Sequence, residues 1–261
     1  MKATRILIIM LAVLMGLGFW NVQPASAGTV ILEGSDAIGF HSNISGGAAT
    51  YRDQAFSAIG GSDSRPIGVI GTGTFGAIVS GSHAIVDSPD VASLGPLSGY
   101  VALYFIGAGG CCTEDTSTIG APGAQAAVAS YLSAGGTVMI SNYTGDAVWD
   151  FAVGTGGLGN SHVLGVGGGA GPGSGCDDGE TVTATGLANG FTQPPVMGCW
   201  SHQGYEQSFF APLGFTLSFF DAAPGMGGAG WSSLLSSGVT VTGAVPEPST
   251  MILFGSGLAG L

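Results

Sequence analysis

Two short apolar runs flanking one alanine-rich helix restrict the architectures open to this chain. Tyr100-Val101-Ala102-Leu103-Tyr104-Phe105-Ile106 is unbroken and ends in Gly107-Ala108-Gly109-Gly110, the pattern of a strand buried on both faces. Pro122 stands where a first helical turn tolerates proline, and Ala127, Val128, Tyr131 and Leu132 share one face of a helix from 124 to 133. Gly135-Gly136 closes that helix with a left-handed cap, and Thr137-Val138-Met139-Ile140 follows at once as a second buried strand. Strand, helix and strand in this order call for a parallel pair joined by a right-handed crossover.

Weaker signals extend the pattern. Val30 to Leu32 and Ile67 to Ile70 read as strands, and Tyr51 to Ile59 and Asp146 to Val153 as helices. Thr181 to Ala184, Phe215 to Phe220 and Gly238 to Thr242 read as later strands, with a helix over Tyr205 to Phe210. These late strands alternate in polarity, which suits antiparallel additions at one edge. Gly154 to Gly175 is so rich in glycine that it reads as a loop. The expected class is α/β, a mostly parallel sheet with flanking helices and antiparallel additions near the C-terminus.

Composition excludes some functions. Charged residues are 8% of the chain and 45% is apolar, with 50 glycines, too hydrophobic for a disordered polyelectrolyte. Lys2 and Arg5 precede an apolar run from Ile6 to Trp20 and then Gln23-Pro24-Ala25-Ser26-Ala27, a signal peptide cut by signal peptidase between Ala27 and Gly28. The competing reading, an uncleaved anchor, needs ~20 apolar residues. Cleavage leaves Arg52 and Arg65 against 16 acidic residues, a surface that repels phosphate backbones, so no nucleic-acid partner is expected. Cys111, Cys112, Cys176 and Cys199 form an even set that reads as disulfides in an exported chain. Thiolate zinc is the rival reading, but C-x-x-C pairs are missing.

At the other end, Val245-Pro246-Glu247-Pro248-Ser249-Thr250 precedes the apolar stretch Met251 to Leu261. This resembles the PEP-CTERM sorting signal: a Pro-Glu-Pro motif, a membrane segment and a basic cluster, carried by exported proteins of Gram-negative bacteria that make exopolysaccharide. The resemblance implies transient membrane anchoring and an exosortase-type processing enzyme as partner, with exopolysaccharide as a further candidate. About a dozen apolar residues reach only ~18 Å as a helix, against ~30 Å of hydrocarbon, and no basic cluster follows, so the tail reads as truncated. The expected organisation is 1–27 signal peptide, 28–244 one α/β domain and 245–261 sorting tail.

The strand-helix-strand unit of residues 100–140, with its helix ending Tyr131-Leu132-Ser133-Ala134-Gly135-Gly136, and the later Gly186-Leu187-Ala188-Asn189-Gly190-Phe191 resemble the class I glutamine amidotransferase-like, flavodoxin-like domains. Catalytic members carry a cysteine at the elbow after the second strand, exposed on a strained turn. Here that elbow is Ser141-Asn142-Tyr143-Thr144-Gly145, so the resemblance implies a non-catalytic domain without a cofactor.

Other motifs carry chemistry only as alternatives. Ser141 as a nucleophile would need His202 or His162 as base and Asp146, Asp150 or Glu206 as orienting acid, giving a secreted hydrolase of glycans or amides; the plainer reading of Ser141 and Asn142 is turn and cap. Trp200 and Tyr205 beside Cys199 suggest a sugar-binding shelf, or else a packed core loop. Asp177-Asp178-Gly179-Glu180 offers hard oxygen ligands for calcium but lacks the EF-hand order, and reads more plainly as a solvated acidic turn. Asp36 with His41 and His83 with Asp87 are thin metal pairs, so no metal is expected. Gly71-Thr72-Gly73-Thr74-Phe75-Gly76 fits a dinucleotide-binding pattern, a near-free match in so glycine-rich a chain.

Overall fold

The computed structural model describes residues 28–71, 76–107, 116–141, 143, 147–165, 180–192 and 200–238. The signal peptide, the four cysteines, Asn142, Asp146, Asp177, Asp178, most of the Gly71 to Gly76 pattern and the sorting tail lie outside them.

One mixed sheet runs through the described residues. Its strands are β1 (Thr29–Glu33), β2 (Ile67–Ile70), β3 (Ile85–Ser88), β4 (Ala102–Phe105), β5 (Thr137–Ser141), β6 (Val163–Gly165), β7 (Thr181–Val182), β8 (Gln203–Glu206), β9 (Leu217–Asp221) and β10 (Trp231–Ser236). The order is β3-β2-β4-β5-β1-β10-β8-β6, with β9 on β10 and β7 on β9. From β3 to β1 every pairing is parallel. Every pairing beyond β1 is antiparallel. The strand-helix-strand unit thus forms as its sequence requires, with Ala102 opposite Thr137 and Phe105 opposite Ile140.

Strands β2 to β5 take the order 2-1-3-4 of a flavodoxin-like sheet, but β1, the first strand, occupies the place of the fifth. That exchange matters for function. Alternation sorts the side chains of the parallel strands into two cores. Ile31, Val69, Tyr104 and Met139 join one core with Tyr51, Ala55 and Phe56 of α1 (Gly46–Gly60). Leu32, Ile70, Leu103, Phe105 and Ile140 join the other, with Ile119 of α2 (Thr116–Gly120), Val128 of α3 (Ala124–Ser133), Trp149, and Val153 of α4 (Asp150–Val153). After β1 the chain therefore turns to one face, and after β5 to the opposite face. Two adjacent parallel strands whose chains diverge leave a crevice beyond their carboxyl ends, the usual ligand position in α/β sheets.

Helix α1 starts five residues earlier than its apolar pattern alone implies, because Ser45 caps it: the hydroxyl accepts from the Ala48 amide at 3.4 Å. The helix expected over Tyr205 to Phe210 is corrected. The stretch from Tyr205 to Phe210 begins as strand, since Tyr205 and Glu206 pair with β10, and only α6 (Gln207–Phe210) is helical. The closing strand is β10 at Trp231–Ser236, while residues 239–242 of the strand expected after Gly238 lie outside the described set. Asp146 to Val153 is helical from Ala147, as a 3-10 turn running into α4. A short helix absent from the sequence reading, α5 (Ala184–Ala188), follows β7.

Main chain packs against main chain at several glycines, among them Gly34 and Gly204. A side chain on Gly34 would collide with the Gln203 carbonyl, and one on Gly204 with the Met226 carbonyl. At Gly34 this closeness lets the Gly34 carbonyl accept from both His202 and Gln203 amides, at 2.7 and 2.8 Å, while its own amide donates to Ser233 at 2.7 Å. Gly34→Ala is expected to lower stability by about 1–3 kcal/mol or more, as over-packing against rigid backbone does. Gly46→Ala, where nothing lies within 4 Å, is the control and is expected to stay within ~0.5 kcal/mol of the parent. Chemical denaturation of both variants measures the difference.

Candidate functional site

A buried polar cluster lies at the carboxyl ends of β1 and β5. Glu33 ends β1 with the parity of Ile31, so its side chain enters the α1-facing core, where it is 0% exposed. Ser35 Oγ donates to Glu33 Oε1 at 2.8 Å and Tyr104 Oη donates to Oε2 at 2.9 Å. Burial raises the Glu33 carboxyl from its usual range to about 7, the hydroxyl groups of Ser35, Tyr104 and Tyr51 opposing that rise. Burial, together with the Glu33 charge, holds the Tyr51 and Tyr104 phenols well above their ordinary values.

One turn further on, a π-helical turn spans Ala37–His41 with Asp36 at its head. Such turns are rare and often mark functional positions. With more than four residues per turn, it brings residues 36 and 41 to the same side. Asp36, 1% exposed, places Oδ2 3.4 Å from His41 Nε2 and Oδ1 3.1 Å from His202 Nε2. His202 is buried and the His41 side chain is 16% exposed, so the cluster grades from a closed carboxylate to a ring near the surface. Trp200 stacks on His41, centroids 3.5 Å apart and planes 10° from parallel. The Asp36 amide donates to the Trp200 carbonyl at 3.0 Å, and Ser35 bridges Ser201. The segment 200–203 is thus fastened along the end of β1. Glu180 lies close by, buried, accepting from the hydroxyls of Ser201 and Ser233.

Asp36 thus stands between two imidazoles in a low-dielectric setting, next to Glu33, whose carboxyl burial raises to about 7. This arrangement differs from the sequence expectation at Ser141. Ser141 is 0% exposed and its Oγ donates to the Ser35 carbonyl at 2.8 Å. The fold brings Ser141 and His202 to the same strand end, but the acid beside His202 is Asp36 and not Asp150 or Glu206. Asp150 accepts from Thr155 at 2.6 Å. Glu206 accepts from Ser208 at 2.7 Å and pairs with His162 Nδ1 at 2.7 Å, while the His162 ring stacks on Phe209 at 3.7 Å. The His162 hydrogen bond holds the Glu206 carboxyl below its usual range.

The remaining expected residues separate. Trp200 packs against the α1-side core, whereas Tyr205 is fully buried in the other core among Tyr143 and Phe210. Tyr205 therefore presents no face to a ligand, and a two-ring shelf does not form. Glu180 points into the polar cluster and is no part of a solvated turn. Asp36 and His41 do meet, but His83 contacts the Asp63 carbonyl at 3.1 Å in place of Asp87. A cleft of about 480 Å³ lined by Arg65, Pro96, Leu97, Tyr100, Tyr131 and Gly136 opens at the opposite, amino edge of the parallel strands. Sequence reasoning missed Glu33, Ser35, Tyr51 and Tyr104. The available signal was Glu33 itself, an acid continuing the buried parity of Ile31.

Residues 244–261 match the family profile of the PEP-CTERM protein-sorting motif. No curated protein and no solved structure matches the chain, and neither comparison supports the amidotransferase-like resemblance. No helix among the described residues is long and apolar enough to cross a membrane. The sorting motif indicates an exported surface protein that exosortase processes, with a membrane-anchoring tail that is cleaved.

Glu33 yields a pH test. Its folded carboxyl binds a proton more tightly than the unfolded one, so stability is greatest below the unfolded value of 4.5 and falls as pH rises towards about 7. Loss over that window is on the order of 3 kcal/mol. Glu33→Gln stays neutral throughout and can still meet both hydroxyls. Its melting temperature is expected to decline less than the parent's between pH 5 and pH 8; parallel declines would remove Glu33 as the titrating group.

Proposed function

We propose that this chain is an envelope protein displayed after export, acting through binding at the carboxyl edge of its α/β fold and not through a serine nucleophile. The sorting motif at residues 244–261 supplies the address. The observation that carries the non-hydrolase reading is the Ser141 hydroxyl, fully buried and bonded to the Ser35 carbonyl. A nucleophile must reach a substrate and share its proton with a base, and Ser141 is committed to main chain. The amidotransferase-like resemblance fits this reading in one respect, the missing elbow cysteine, and β1 in the fifth position sets the sheet apart from a plain flavodoxin-like order. A fluorophosphonate probe is expected to leave the protein unlabelled. Labelling that disappears in Ser141→Ala would establish the secreted hydrolase instead.

One observation favours a glycan as the ligand. Trp200 is half-buried and stacked with the partly exposed His41 beside the polar cluster, and the apolar face of a sugar ring packs on stacked rings of this kind. The shelf would consist of Trp200 and His41, without Tyr205. Exopolysaccharide is the partner this reading names. An aromatic contact of this kind is worth about 0.5–1.5 kcal/mol, so Trp200→Ala is expected to weaken retention of the protein on purified exopolysaccharide by up to ~10-fold. Equal retention of parent and variant would exclude the shelf.

A further inference from the structure

We infer that, while its sorting tail is in the bilayer, the protein stands with the amino edge of the parallel strands towards the membrane and the Asp36 cluster directed away from it. The inference rests on the sorting reading and adds an orientation that the motif alone does not contain.

Both ends of the described fold emerge at one edge. β10 runs antiparallel to β1, with Ser236 opposite Ile31. Beyond it, the Ser237 amide donates to the Val30 carbonyl at 2.9 Å and Ser237 Oγ accepts from the Val30 amide at 2.9 Å. Gly238 therefore lies beside Thr29, the first residue of β1. Gly28 is at the same edge, packed on the carbonyls of Leu132 and Gly136, and the Thr29 amide donates to Gly136 at 3.0 Å. Asp36 sits at the other end of β1, seven residues along the chain from Thr29, or ~23 Å at strand rise.

The connection is short. Residues 239–243 separate Gly238 from the matched motif, so residue 244 is at most ~22 Å and Pro246 at most ~29 Å from Gly238. Bringing the Asp36 end to the bilayer would lift the attachment edge by about the span from Thr29 to Asp36, consuming most of that reach and with it the chain's freedom. Charge acts in the same sense. Acidic residues number 16 against four lysines and arginines, which opposes laying a broad face on anionic lipid. A membrane-embedded processing enzyme therefore meets the amino edge first, and a ligand from the medium meets the carboxyl edge beside Asp36.

The full chain, expressed with its processing enzyme, tests the orientation. A photocrosslinking amino acid is placed at Ser98, exposed at the amino edge, or at Ile44, 60% exposed beyond the carboxyl end of β1. Crosslinks to lipid or membrane protein are expected several-fold more often from 98 than from 44 in the tail-bearing precursor. A long Gly/Ser insert after Gly238 is expected to erase the difference. Equal crosslinking without the insert, in a precursor that is membrane-held and later cleaved, would overturn the orientation alone. If no membrane-held, tail-bearing form is recovered, the sorting reading fails and the orientation with it.

Discussion

The carboxyl end of β1 is held by main chain on both sides, and the polar cluster exists because of that hold. Gly34 gives its amide to β10 and its carbonyl to two successive amides of segment 202–203. Ser35 continues the contact to Ser201, and the Asp36 amide to Trp200. With the backbone so fixed, Glu33 and Asp36 cannot swing out to water. Their carboxylates must be satisfied inside, by hydroxyls in the first case and by imidazoles in the second. Buried charge of this kind is costly where it merely fills space. Its position is at a point of chain divergence, where α/β sheets commonly place ligands, and this is the ground of the binding role proposed for it.

The parallel part of the sheet was readable because its strands are buried on both faces. Runs such as Ala102 to Phe105 and Val138 to Ile140 need no partner to be recognised. The antiparallel part was obscure for the converse reason. β8 reads Gln203-Gly204-Tyr205-Glu206 and β10 Trp231-Ser232-Ser233-Leu234-Leu235-Ser236, serine-rich or glycine-interrupted segments without clean period. Their polar residues are explained only by tertiary partners: Ser233 serves Glu180, and Ser232 bonds Ser218 and Gln207. The site followed the same division. Ser141 and His202 could be nominated from residue type, and they do converge. That Asp36 rather than a later acid stands beside His202 depends on β1 lying next to β5, a pairing across more than a hundred residues that no local pattern encodes.

Placing the first strand in the fifth position also joins the site to the address. Had a later strand filled that place, the amino-terminal strand and the strand leading to the tail need not have been neighbours. Because β10 pairs with β1, the chain's two exits from the sheet lie together at Thr29 and Gly238, at the edge opposite Asp36. A strand-length of buried sheet then separates the edge the tail holds from the edge that carries the polar cluster. The same antiparallel pairing that closes the polar cluster through Ser233 thus determines which way the cluster faces when the protein is held by its tail.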